Sequence, residues 1–285
     1  MDRILQVLRC PYSGAPLHRA DGYLEGGLYR YPVVDGIPWL LAEERLSELD
    51  RHFQQQYGEE TARKYDAVIR LQSLLIGCWE PAERRRMVDL LSGVQGGRIL
   101  EIAVGTGANL PWLARLAGPS GEIVAVDLSP AMMRVAQHQA EALQCPVHFV
   151  RADACHLPFA DDTFDAVFHF GGLNTFGDVA AALREMVRVA KRGAPIVAGD
   201  EGMSESRRRT WLGRLLGRMN HLNLCRPPFA EVPWDQVEAF ELHWAWRELF
   251  YVLRFRKRLN EPVLEAQRLQ PLSPVALELK RRAWP

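Results

Sequence analysis

At 285 residues, the chain can bury one core of domain size and a small appended module. Lys and Arg total 35 against 35 Asp and Glu, so the zero formal charge gives no electrostatic ground for nucleic acid or an anionic membrane as the main partner. No apolar run approaches the roughly 20 residues that a bilayer span requires.

Met1 leads straight into Asp2 and Arg3, without the apolar stretch of a secretory signal. The cysteines Cys10, Cys78, Cys145, Cys155 and Cys225 are scattered and form no C-x-x-C pair. They indicate neither a disulfide framework nor a zinc site, and a reduced, cytoplasmic protein without a metal is expected.

Residues 1–42 combine Cys10-Pro11-Tyr12-Ser13-Gly14, Gly26-Gly27 and Tyr31-Pro32-Val33-Val34-Asp35-Gly36-Ile37-Pro38. That density of turn residues between short β-favouring runs predicts a small β-rich module. Over 43–96 the pattern is helical, with Leu71, Leu74, Leu75, Met87, Leu90 and Leu91 at helical spacing and Pro81 suited to a first turn. From 97 to 257 strand and helix alternate. Strands are predicted at 98–103, 122–127, 147–150, 164–170 and 195–199, with helices at 108–116, 130–143, 179–190 and 206–219. Such alternation implies an α/β fold with a mostly parallel, Rossmann-like sheet. The runs 237–242 and 250–255 are separated too briefly for a helical crossover, so they predict an antiparallel hairpin closing a seven-stranded sheet. Residues 258–285 form a C-terminal tail.

The chemistry concentrates in the stretch Ile99-Leu100-Glu101-Ile102-Ala103-Val104-Gly105-Thr106-Gly107-Ala108-Asn109-Leu110. Gly105 and Gly107 fall at the first strand–helix turn, where a cofactor must approach the backbone closely. The dinucleotide pattern G-x-G-x-x-G/A would need a small residue at 110, and leucine stands there. Asp127, at the tip of the second strand, can accept hydrogen bonds from both hydroxyls of a ribose; this fits either adenosine cofactor. Ser129 already serves as the cap of the next helix. After the third strand, Asp153 and the backbone of Ala154 can read an adenine edge, although Asp153 alone reads equally as a solvated loop carboxylate.

In this order and spacing the motifs resemble the class I S-adenosylmethionine-dependent methyltransferases, in particular the ubiquinone/menaquinone-biosynthesis C-methyltransferases. The resemblance covers roughly residues 60–257. Lys64-Tyr65-Asp66, Trp79, Phe170-Gly171-Gly172-Leu173-Asn174 and Arg184-Glu185-Met186-Val187-Arg188-Val189 share in it. It implies S-adenosyl-L-methionine as cofactor. Glu101, Gly105 and Gly107 would line its methionine part, with Ala103 and Thr106 also among the cofactor-binding residues, Asp127 at the ribose, Leu128 and Met132 near the adenine, and Asp153 and Ala154 at the adenine edge. Tyr65 would close the pocket. Ala103 stands where many members carry a glycine, and Lys191-Arg192-Gly193-Ala194 replaces the usual Lys-Pro-Gly-Gly turn. Residues 1–42 resemble the zinc-knuckle activator of tRNA and protein methyltransferases, through Leu8-Arg9-Cys10-Pro11 and the Tyr31–Pro38 run. Ser13 replaces its second cysteine, so the module is read as metal-free and structural.

Methyl transfer needs alignment and exclusion of water, and an oxygen or carbon nucleophile can also need a base. His169, at the end of the fourth strand, is the first candidate for that base and also lines the cofactor; His156 and His243 are the others. Phe168, Phe170, Phe176, Trp211, Trp234 and Trp244 would suit a small aromatic or lipophilic acceptor, or simply form core. Two other functions fit the same motifs: methylation of RNA or protein, and cofactor binding without transfer.

Overall fold

The computed structural model describes residues 2–260, so the expected tail past Asn260 lies outside the described residues. Helix α1 (Asp2–Leu5) precedes a four-stranded antiparallel sheet of β1 (His18–Ala20), β2 (Tyr23–Gly26), β3 (Tyr29–Val34) and β4 (Ile37–Pro38). Asp21-Gly22 and Asp35-Gly36 take positive φ at both positions, the backbone of tight hairpin turns. The β-rich module expected over 1–42 is present. It does not stand apart: Ile4, Leu8, Leu24 and Leu40 are buried in one cluster with Leu100, Val124, Val150 and Phe159. Arg9 N–H donates to Pro158 O and Ala160 N–H to Val7 O, both at 2.9 Å.

Three helices follow: α2 (Glu48–Gln56), α3 (Glu59–Leu75) and α4 (Glu80–Asp89). In α4 Met87 is buried, as is Leu91 just beyond the helix, but Leu71, Leu74 and Leu75 of α3 are 60%, 57% and 77% exposed. Helical spacing correctly marks a helix there without saying that its apolar face is covered.

The main sheet contains β5 (Arg98–Ile102), β6 (Glu122–Asp127), β7 (Val147–Arg151), β8 (Ala166–Phe170), β9 (Pro195–Glu201), β10 (Val237–Ala245) and β11 (Phe250–Lys257), in the order β10-β11-β9-β8-β5-β6-β7. Strands β5 to β9 run parallel, and β11 pairs antiparallel with both β9 and β10. This is the Rossmann-like, mostly parallel sheet closed by a hairpin. Helices α5 (Leu110–Ala117), α6 (Pro130–Ala140) and α7 (Val179–Val189) pack on it. The chain moves outward from β5 to β6 and β7, then returns to place β8 on the other side of β5. A crevice at the carboxyl ends of the strands opens at such a reversal.

Two elements differ from expectation. Helix α5 starts at Leu110 rather than Ala108, because Gly107 sits at φ 88°. The helix expected over 206–219 is two, α8 (Glu205–Arg209) and α9 (Trp211–Met219). Thr210 breaks it: its backbone is extended, and its Oγ1 accepts the Gly213 N–H at 2.9 Å to cap α9.

Candidate active site

The turn after β5 is built for close approach. Ala103 and Gly105 have φ of 54° and 56°, and a Cβ on Gly105 would meet nothing within 4 Å. Gly107 is glycine for another reason: its Cβ would press on Leu110 and on Ala136 of α6 at 2.9–3.2 Å. Thr106 is buried, and its hydroxyl donates to Asp66 of α3 at 2.6 Å.

Asp127, at the tip of β6, holds this turn. Its two carboxylate oxygens accept the N–H groups of Gly105 and Ser129, each at 2.8 Å. Burial nevertheless raises its pKa, against the pull of those hydrogen bonds. Ser129 accepts the Met132 N–H at 3.2 Å and donates its own hydroxyl to Tyr57 O at 2.7 Å. Asp127 is therefore not spent as a helix cap. Each of its oxygens keeps acceptor capacity beyond the single backbone bond.

Glu101 is fully buried, and one oxygen accepts from Asn109 Nδ2 at 2.9 Å. Asn109 in turn accepts from Arg84 at 2.9 Å, and Arg84 pairs with Glu80. The other oxygen, Oε2, has no partner among the described residues. Desolvation pushes the Glu101 pKa up to about 8. On the adjacent strand His169 is also fully buried, with Nδ1 at 2.9 Å from Ile102 O and no partner for Nε2 among the described residues. Donation from Nδ1 to that carbonyl leaves a lone pair on Nε2. Burial lowers the His169 pKa to about 4, so the ring is neutral near pH 7 and a weak base. Both atoms lie buried at the ends of neighbouring strands, Glu101 on the sheet face it shares with Phe168 and His169 on the face it shares with Ile102.

The other expected residues surround this centre. Met132 and Ala131 of α6 pack with Ala62, Tyr57 and Tyr65, which brings Tyr65 of α3 to the Asp127 side; burial raises the Tyr65 pKa, keeping it a neutral phenol. The Leu128 carbonyl accepts from Arg151 at 3.0 Å. Asp153 is buried and fixed, accepting from the Cys155 N–H and pairing with His156 Nδ1, both at 2.8 Å. Ala154 is buried beside it. His156 is thereby committed to Asp153. His243 lies on the outer strand β10 against Glu241 at 2.9 Å, separated from β8 by β11 and β9.

Among the aromatic residues, Phe176 lies 5.0 Å from the His169 ring, and Phe170 stacks on Trp246 at 5.0 Å. Phe168 is buried in one core cluster, Trp244 packs against the other, and Trp211 and Trp234 are exposed at 71% and 46%. Phe176 thus lies by His169, whereas Phe170 packs into the core with Trp246 and Phe250, and the expected aromatic wall does not form as one surface.

An acidic pair at the end of β9 was not singled out from sequence. Asp200 is buried; it accepts the N–H groups of Asn174 at 2.6 Å and Glu201 at 2.7 Å, and burial raises its pKa to about 6. Glu201 accepts from Asn220 Nδ2 at 3.2 Å. Burial, with the Asp200 charge beside it, raises its pKa to about 7. Tyr251 donates to Asn174 at 2.8 Å and fixes the loop between β8 and α7. The position was available in sequence, since Asp200-Glu201 directly follows an apolar strand. Its partners, distant along the chain, were not.

Residues 99–193 match the sequence model of a methyltransferase domain. The demethylmenaquinone methyltransferase of Thermus thermophilus is 40% identical over 139 residues, 48% of this chain and 61% of that protein. A ubiquinone/menaquinone biosynthesis C-methyltransferase of Pasteurella multocida is 37% identical over 139 residues, again 48% of this chain and 50% of that protein. The chain therefore spans less than two thirds of these relatives. A solved structure assigned as an S-adenosyl-L-methionine-dependent methyltransferase of Methanococcus maripaludis shares the fold, with a TM-score of 0.55 at 19% identity, covering 72% of this chain and 95% of that one.

Proposed function

We propose that this chain, which carries a class I S-adenosylmethionine-dependent methyltransferase domain, transfers a methyl group to a small, quinol-like aromatic acceptor. The observation that carries the cofactor half is the set of acceptors at the strand ends. Glu101 Oε2 is buried without a partner among the described residues, and Asp127 keeps free lone pairs beside the open side of Gly105. A cation with a neighbouring diol answers that set: the α-ammonium of the cofactor toward Glu101, its ribose hydroxyls toward Asp127. Leu128, Met132 and the fixed Asp153–Ala154 turn would hold the adenine, with Tyr65 covering it. When bound, the cofactor supplies an already activated sulfonium methyl group.

The protein's remaining work is on the acceptor side. His169 serves as a lone-pair acceptor rather than a proton shuttle, because its pKa of about 4 makes it a poor base at neutral pH. Glu201 is better matched: with a pKa of about 7, it can take a phenolic proton as the ring carbon becomes nucleophilic. Phe176 offers flat apolar contact beside His169. The named activities of the relatives support a quinone-type acceptor.

The test is calorimetric titration with S-adenosylhomocysteine, followed by turnover on a demethylated hydroquinone. Asp127→Ala should weaken binding by about 30-fold or more, since two charge-assisted hydrogen bonds are lost. Glu201→Gln should bind like the parent but lose about 100-fold in kcat. Absence of S-adenosylhomocysteine binding by folded protein would sink the reading. Binding without turnover on any quinol would remove only the acceptor assignment.

A further inference from the structure

Helix α9 is inside out. Its buried face is made of Gly213 and Gly217, while Trp211 and Met219 are 71% and 74% exposed and Leu215 is 44% exposed. These three recur every fourth residue, so they share one face. The glycines explain how the helix can lie so close to the protein: a Cβ at Gly217 would press on Leu224 at 2.7 Å, and one at Gly213 on the Arg207 carbonyl at 2.0 Å. A helix seated through its smallest residues, with its largest apolar ones turned to water, leaves that face for something else.

The charge around it is equally lopsided. Between residues 205 and 226 stand six arginines, at 207, 208, 209, 214, 218 and 226, against the single carboxylate Glu205. The segment's own excess is five positive charges within a chain of zero net charge, although Glu248 meets α8 at Ser206 and Arg226 pairs with Glu205. Arg209, Arg214 and Arg218 are exposed and make no ion pair among the described residues. Arg214 and Arg218 each precede an outward apolar residue, Leu215 and Met219, so they flank the apolar stripe on the same exposed side.

We propose that α8 and α9 form a docking surface for an anionic phospholipid membrane, with Trp211, Leu215 and Met219 entering the interface and the arginines pairing with headgroup phosphates. Apolar insertion beside a basic flank is the physical requirement for a helix lying in a membrane interface. The location suits the site, because Asn220 at the end of α9 also donates to Glu201. The β10–β11 turn joins α8 to the exposed end of α3. Glu248 accepts from Ser206 at 2.6 Å, and Trp246 donates to Ser73 at 3.1 Å. Leu71, Leu75 and Trp79 lie exposed at or just beyond that end of α3, which adds apolar area around the same turn. The proposal stands on these surfaces alone and does not depend on the methyl-transfer reading.

The full chain should be sedimented with vesicles of phosphatidylcholine and phosphatidylglycerol, and with phosphatidylcholine alone. Binding to the mixed vesicles, at least about tenfold stronger than to the neutral ones and weakened by salt, is expected. The triple variant Trp211→Ser, Leu215→Ser, Met219→Ser should lose about tenfold or more of it. Arg214→Glu with Arg218→Glu should reduce it on the mixed vesicles only. Both variants should keep the parent's thermal transition, which separates lost docking from lost folding. Three results would overturn the proposal: no sedimentation with either vesicle, binding that survives the triple variant, or a dimer in light scattering that the triple variant abolishes. In the last case a second copy of the chain covers the face.

Discussion

The two halves of the sheet's carboxyl edge are built differently. On the side of β5, β6 and β7, every loop is tied down: Gly105 and Ser129 by Asp127, Cys155 and His156 by Asp153, and residues 158–160 by the N-terminal module. On the side of β8 and β9, the polar groups sit on short irregular segments, and α8 and α9 cover them while turning apolar residues outward. The first half is fixed by the carboxylates of Asp127 and Asp153 holding backbone N–H groups of the turns, and by backbone bonds to the N-terminal module. The second is held by side chains reaching across the chain, such as Asn220 to Glu201 and Tyr251 to Asn174. A ligand with constant chemistry can be served by the first kind of construction; the second leaves room for an acceptor-specific cover.

The largest expected effect tests whether the module truly belongs to the first half. Leu8 is fully buried among residues of both sheets and lies opposite Phe159 in an antiparallel bridge. Leu8→Ala should cost about 2–5 kcal/mol, the usual range for a core leucine truncated with partial relaxation. Urea unfolding should stay a single transition, because module and domain share one core. An early, separate transition that leaves S-adenosylhomocysteine affinity unchanged would break the comparison, since the module would then be an independent appendage.

A smaller effect sharpens the comparison within the first half. Glu101 has a pKa of about 8 in the free protein, so at pH 7 it is mostly protonated. A cation placed against Oε2 would ionise it, and binding would release a proton. Affinity for S-adenosylhomocysteine should then rise with pH by up to about tenfold per unit between pH 6 and 7.5, equivalent to about 1.4 kcal/mol. Calorimetry in buffers of different ionisation enthalpy reads the released proton directly, and Glu101→Gln should flatten the dependence. The sign for stability is opposite. A carboxyl raised from 4.5 to about 8 favours the unliganded fold below pH 4.5, and that contribution disappears as pH climbs through 8. A pH-independent affinity would mean that the ammonium does not meet Glu101.

Much of the first half was readable in the sequence, and the reason is local. Glu101, Gly105, Gly107 and Asp127 belong to consecutive strands and turns, where spacing along the chain fixes position in space. The relay beneath them was not readable: Arg84 reaches Asn109 across 25 residues, and no periodicity announces such a pair. The same holds for Glu201, whose raised pKa depends on burial and on Asp200, and for the common core of the module and the domain. Helical spacing also failed to separate covered from uncovered apolar faces. It placed Leu71, Leu74 and Leu75 on a helix, but only neighbouring elements decide whether such a face is buried. For α9 the informative residues are the glycines, which fix the direction in which the large side chains point.

The smallest expected effect concerns Ala103, the departure from glycine noted in the sequence. Its φ of 54° places an alanine where a Cβ crowds the following carbonyl, at a cost of about 1–2 kcal/mol. Glycine would remove that strain but would add freedom to the unfolded chain, worth about 0.4–1 kcal/mol against folding. The difference predicts that Ala103→Gly stabilises the protein by about 0.5 kcal/mol, read as a higher urea midpoint at unchanged slope. S-adenosylhomocysteine affinity should stay within about twofold, because the turn is already held by the Gly105 N–H on Asp127. A loss of stability would show that the Ala103 methyl group packs usefully in the free protein. A marked gain in affinity with no gain in stability would show instead that alanine holds the turn slightly away from its binding geometry, so that even the well-tied half of the edge retains some adjustment.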